Sequence, residues 1–86
     1  MAIAVDEKSL RRQWGTHLAG LRGSLELSQP DVAELSGLHV TYISQLERGI
    51  RNPSLIVLLR LATALDVPLE LLVPKDIRSL VSVVET

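Results

Sequence analysis

The 86-residue chain sets nine lysines and arginines against ten aspartates and glutamates, a net charge of −1 with a pI near 6.1. It has no cysteine, 47% hydrophobic residues and only two aromatic side chains, Trp14 and Tyr42. These figures exclude a disulfide framework and a thiolate metal site, and leave one small domain with an aliphatic, leucine-rich helical core.

No apolar stretch nears the ~20 residues of a membrane span, and the opening MAIAVDEK lacks the basic region of a secretory signal. A soluble, cytoplasmic protein without membrane association is the expectation. Residues 1–6 read as an N-terminal extension. Asp6 is placed to cap a first helix over 7–23, in which Leu10, Trp14, Leu18, Leu21 and Leu25 recur on one face. Gly15, Gly20 and Gly23 weaken that helix locally. Ser28 with Asp31 three residues on has the form of a capping box, and Pro30 suits a first turn, so a second helix runs over 29–36. A third begins at His39 or Val40 and ends at Arg48, stopped by Gly49. The IRNPS segment is a loop because Asn52 precedes proline. A fourth helix covers 54–65, Asp66 and Val67 break it, and Pro68 starts a short fifth helix ending near Val73. The body is thus 7–73 and the tail 74–86.

In the fourth helix Leu55, Leu58, Leu59, Ala62 and Leu65 share one broad face, expected to point inward. Ile56 falls instead between Arg60 and Thr63 on the solvent side, and Val57 lies beside Ala64. The tail repeats the pattern with Ile77, Leu80, Val81 and Val84 at helical spacing, although its β-branched VSVV run suits a strand equally well. Ile56, Val57 and Arg60 with these tail residues offer a surface for self-association. Packing of the tail on its own domain is the alternative.

The second and third helices carry the functional signal. In QPDVAELSGLHVTYISQLER, Val32 and Leu35 are spaced to face inward, and Ala33 is small enough for a close helix crossing. Gly37 can take the positive φ of a tight turn, while Ile43 and Leu46 bury one side of the next helix. That is a helix-turn-helix unit, whose second helix keeps its opposite face free and fits the major groove of DNA. Between His39 and Pro53 the only charges are Glu47, Arg48 and Arg51, so the expected basic surface is local and small, with a correspondingly small salt dependence of binding.

The segments LSQPDVA, SGLHVTYIS, QLERG and RNPSLIVLLRLATAL occur in an order and spacing that resemble the phage-repressor-like (Cro/C1, XRE-type) helix-turn-helix family over residues 10–73. GLHVTYIS and RNPSLIVLL are most similar to the controller proteins of restriction–modification systems. The resemblance implies an all-α, five-helix bundle acting as a homodimer on a palindromic operator in double-stranded DNA, its recognition helices about 34 Å apart. It further implies base contacts from His39, Val40, Thr41, Ser44 and Gln45, and phosphate contacts from Ser28, Gln29, Tyr42, Arg48, Arg51 and Asn52. Gln45 could pair with adenine through two hydrogen bonds, and Val40 or the Thr41 methyl could meet a thymine methyl. Arg22 and Glu47 match a structural ion pair between the first helix and the end of the third. The chain departs from controller-like relatives at Val40, where an arginine would read guanine; their operator sequence therefore does not transfer.

Other chemistries find little support. GxSxG and phosphate-loop patterns are absent, and His17 and His39 stand apart without cysteine partners, so neither enzyme, metal site nor cofactor is expected. Outside this motif Thr41, Ser44 and Gln45 would pass for a solvated helix face; His17, Arg11 and Arg12 read as surface residues, and Trp14 as core. A dimeric, sequence-specific transcriptional regulator is the leading expectation. An antitoxin of the same fold, with a toxin bound at Ile56 and the tail, is its neighbour. A protein-interaction module that does not bind DNA is the alternative favoured by the acidic pI and Val40.

Overall fold

The computed structural model describes residues 2–75 and 81–84. A strand β1 (Ala2–Val5) precedes four helices: α1 (Glu7–Ser24), α2 (Gln29–Ser36), α3 (Val40–Glu47) and α4 (Leu55–Leu65). A 3-10 turn (Leu69–Leu72) follows, and β2 (Val81–Val84) pairs with β1 in antiparallel register, Ala2 opposite Val84 and Val5 opposite Val81. The tail's choice between helix and strand thus falls to a strand over 81–84. Ile77 and Leu80 lie outside the described residues.

The helix ends follow their capping chemistry. Asp6 Oδ1 accepts the Ser9 N–H (3.1 Å) at the start of α1. At α2 the Ser28 hydroxyl accepts the Asp31 N–H (3.1 Å), and the Asp31 carboxylate accepts the Ser28 N–H (2.8 Å), a complete capping box. Ser54 caps α4 through the Val57 N–H (3.2 Å).

The helix-turn-helix body is all-helical, but the expected fifth helix is replaced by the 3-10 turn. Only five residues separate Pro68 from Pro74, and Val73, preceding proline, is driven to an extended conformation (φ −118°, ψ 99°). The i→i+3 bonds Leu71 N–H to Pro68 O (3.0 Å) and Val73 N–H to Glu70 O (3.3 Å) are what that length permits. Two side chains of α1 hold the turn. The Trp14 indole donates to the Leu72 carbonyl (2.7 Å), and the His17 Nε2 meets the Leu71 carbonyl (2.5 Å). His17 is therefore a half-buried tether rather than a plain surface residue.

The core comprises Trp14, Leu18, Val32, Ile43, Leu46, Leu61, Ala62, Leu65 and Leu72. Four apolar residues expected to face inward are exposed instead, one at the end of α1 and three on α2 and α4. Leu35 is 59% exposed, Leu55 67% and Leu59 49%. The inward stripe of α4 is rotated toward Leu61, with Val57 and Leu58 packed beside the core and Ile56 out in solvent. Leu25, expected on the apolar face of α1, sits past the helix end and is likewise exposed.

Candidate nucleic-acid interface

The turn between α2 and α3 is made by Gly37 in the left-handed conformation (φ 73°), with the Gly37 and Leu38 N–H groups both reaching the Ala33 carbonyl (3.0 and 3.2 Å). The buried Ser36 hydroxyl tightens it by accepting the Leu38 N–H (3.3 Å). This turn sends α3 across the bundle with Ile43 and Leu46 fully buried. At 3.6 residues per turn, Thr41, Ser44, Gln45 and Arg48 fall within an arc of about 100° on the other side. Val40 and Tyr42 flank that arc. Thr41, Val40 and Arg48 are exposed, and Ser44, Gln45 and Tyr42 half-buried. His39 occupies the N-cap position of α3, but its side chain makes no capping bond.

The C-terminus of α3 sets up the rest of the face. Gly49 adopts φ 75°, its N–H bonds to Leu46 O (3.1 Å), and the Ile50 N–H returns to Gln45 O (3.0 Å). These paired bonds form a Schellman motif, which folds the following residue back along α3. Arg51 consequently lies beside two residues of the exposed face. Its Nε donates to Gln45 Oε1 (3.1 Å), and its guanidinium carbon stands 5.7 Å from the centroid of the Tyr42 ring. Arg48 curls onto its own helix, Nε to the Ser44 carbonyl (3.4 Å). Asn52 is exposed in the loop beyond.

Beneath this face α3 is anchored. Arg22 from α1 grips Glu47 at both oxygens, Nε to Oε2 at 2.7 Å and Nη2 to Oε1 at 3.0 Å, while Nη1 donates to the Leu27 carbonyl (2.8 Å). Gln29 adds a bond from its Nε2 to Glu47 Oε1 (2.9 Å), so this side chain is held inward by the ion pair. Burial alone would push the Glu47 carboxyl up; the bonds from Arg22 and Gln29, with the Arg22 charge, bring it below the ordinary value. Ser28 has its hydroxyl oxygen engaged in the capping box, leaving the hydroxyl proton to donate elsewhere. With Glu47 neutralised internally, Arg48 and Arg51 are the charges that the 39–53 segment presents.

Two determinants were not recognised in the sequence. Gly15 is buried where α1 crosses the end of α3, and a Cβ there would stand 2.5 Å from the Glu47 carbonyl oxygen and closer still to that of Leu46. The contact between Arg51 and Gln45 is the other. Of the α4 residues assigned to a dimer surface, Ile56 and Arg60 are exposed, whereas Val57 packs on its own core. Ile56, Leu59, Arg60 and Thr63 line a shallow depression with Leu35 and Ser36 of α2.

No helix among the described residues is long and apolar enough to cross a membrane. Comparison with known proteins agrees with the geometry. An HTH-type transcriptional regulator of Sinorhizobium fredii, y4dJ, is 44% identical over 68 residues, covering 78% of this chain and 88% of its own. Control protein C.SmaI of Serratia marcescens is 55% identical over 40 residues, covering 46% of this chain and 48% of its own. The crystal structure of the restriction-modification controller protein C.AhdI from Aeromonas hydrophila superposes with a TM-score of 0.70 at 45% identity, covering 74% of this chain and 96% of that one. The helix-turn-helix family HTH_3 matches residues 18–72. The chain belongs to this XRE-type family of DNA-binding helix-turn-helix transcriptional regulators.

Proposed function

We propose that the chain is a sequence-specific transcriptional regulator, built on a DNA-binding body of residues 7–73, that binds a palindromic operator as a homodimer with α3 in the major groove. The observation that carries this reading is the two-sidedness of α3. Ile43 and Leu46 are fully buried, whereas Val40, Thr41, Ser44, Gln45 and Arg48 line the opposite side. A short helix in a bundle needs only its inner face; a row of hydrogen-bonding side chains flanked by arginines is what groove contact requires. DNA near the chain's own gene is the first place to look for such an operator.

A gel shift with DNA from upstream of that gene, at two salt concentrations, tests the reading. We expect specific retention, and a loss of about tenfold in affinity for each of Thr41→Ala and Gln45→Ala. The salt slope should be shallow, with about 0.9 contributed per phosphate contacted. No retention at low salt would instead favour a protein-interaction module.

The dimer would use the apolar surface around Ile56, extended by Arg60 and the tail. Ile56 is 66% exposed and adjoins exposed Leu55 and Leu59. Ile56→Glu is expected to convert a dimer to a monomer in sedimentation while the monomer stays folded, since the residue touches little of its own core; the melting temperature then falls only by what association contributed and no longer depends on protein concentration. A variant that remains dimeric would place Ile56 outside the interface. The same patch favours one second reading, an antitoxin whose apolar surface receives a toxin, which a monomeric wild-type chain would support.

A further inference from the structure

We infer that Arg51 determines base specificity by holding Gln45, and that together they read guanine where Gln45 alone would read adenine. The inference rests on α3 entering the major groove. An unconstrained glutamine presents an acceptor and a donor side by side, the complement of adenine N6 and N7. Here Arg51 Nε donates to Gln45 Oε1 at 3.1 Å. Arginine carries only donors, so the contact fixes which end of the amide faces it and turns Nε2 toward the partner. One lone pair of Oε1 is committed, and a cation stands against it. An adenine amino group approaching that oxygen would meet the guanidinium charge.

What remains uncommitted in the pair is a set of donors, Gln45 Nε2–H and the Nη groups of exposed Arg51. Guanine offers two neighbouring acceptors, N7 and O6, on its major-groove edge. The arrangement is pre-formed. The Schellman motif at Gly49 folds the chain back, and the Tyr42 ring supports the guanidinium from below at 5.7 Å. Little side-chain freedom is then left to lose on binding. Phosphate contact by Arg51, which the family resemblance implies, would use the same charge but carry no preference between bases.

The test uses the full chain and a random-sequence duplex pool, from which the preferred site is selected and each base pair then varied. Gln45→Ala identifies the position that Gln45 reads. The wild type is expected to prefer guanine over adenine there by roughly tenfold or more. Arg51→Met, which keeps the stem and removes donors and charge, is expected to shift that position toward adenine. Arg48→Met removes the same charge from the same face without touching the Gln45 side chain, and is expected to weaken all sequences alike. Because Arg51 is exposed, Arg51→Met should melt as the wild type does. An adenine preference in the wild type, or an Arg51→Met profile that is uniformly weaker but unchanged in preference, overturns the inference while leaving DNA binding intact. A wild type that enriches no sequence overturns both.

Discussion

Arg22→Ala is expected to cost the bundle about 3–5 kcal/mol, most of the stability of a domain this small. Arg22 satisfies three acceptor oxygens at once, two of Glu47 and the Leu27 carbonyl. The side chain of Glu47 is only 6% exposed, against 20% for Arg22. Truncation leaves a carboxylate out of water with Gln29 as its remaining side-chain donor. Charge removal by itself is not the cause, because replacing both partners with apolar residues of similar volume is expected to be close to neutral. Urea denaturation of Arg22→Ala, and of Arg22→Met with Glu47→Leu, separates the two effects. A single mutant that melts like the wild type would mean that the pair contributes nothing.

The pair also sets a pH dependence with a definite sign. In the wild type the Glu47 carboxyl is held below the ordinary value of about 4.5, despite the opposing effect of burial. A depressed folded-state pKa gives stability that is full above the unfolded value and is lost as pH falls through the folded one. In Arg22→Ala the burial remains while its main compensation is gone, so the Glu47 pKa should rise. Stability then increases on acidification, and the difference between mutant and wild type narrows toward pH 4. Parallel stability curves from pH 7 to pH 4 would contradict the assignment.

Local patterns made the elements of the body legible, and tertiary contacts account for what they missed. Asp6 and Ser28 placed the starts of α1 and α2 because each acts on an N–H group three residues away, while Gly49 fixed the end of α3 and the Asn-Pro step the start of α4 to within a residue or so. Ile43 and Leu46 were legible as core for a similar reason, since a short helix pinned between a turn and a glycine has one inner face. Periodicity does not say which edge of a broad apolar face meets the neighbours. On α4 seven of eleven residues are leucine, isoleucine or valine and two more are alanine, and the packing of α2 against it selected Leu61 over Leu55 and Leu59. The fifth helix failed on length between two prolines. The tail's strand depended on a partner, Ala2–Val5, nearly eighty residues away. At the site, the exposed face of α3 could be read from the sequence, but the return of Arg51 onto Gln45 could not, because it needs the Schellman geometry as well as the glycine that permits it.

Gly15→Ala is expected to destabilise the domain by about 3 kcal/mol and to abolish specific DNA binding before unfolding does. In a helix interior, glycine to alanine ordinarily gains about 0.5–1 kcal/mol. Here a Cβ would stand 2.5 Å from the Glu47 carbonyl oxygen and 2.9 Å from its carbon. Both are backbone atoms, so no side-chain rotation relieves the clash, and α3 must move away from α1. That displacement loosens the contact between Arg22 and Glu47 and re-aims Thr41 and Gln45, whose proposed base contacts need ångström-scale placement. Gly20 supplies the control on the same helix. It is exposed, and a Cβ there meets nothing within 4 Å, so Gly20→Ala should stabilise by about 0.5–1 kcal/mol and leave binding unchanged. Melting and gel-shift measurements on the two variants should therefore move in opposite directions for the same chemical change. If Gly15→Ala instead stabilises and still binds specifically, the α1–α3 crossing is not the close approach that orients α3.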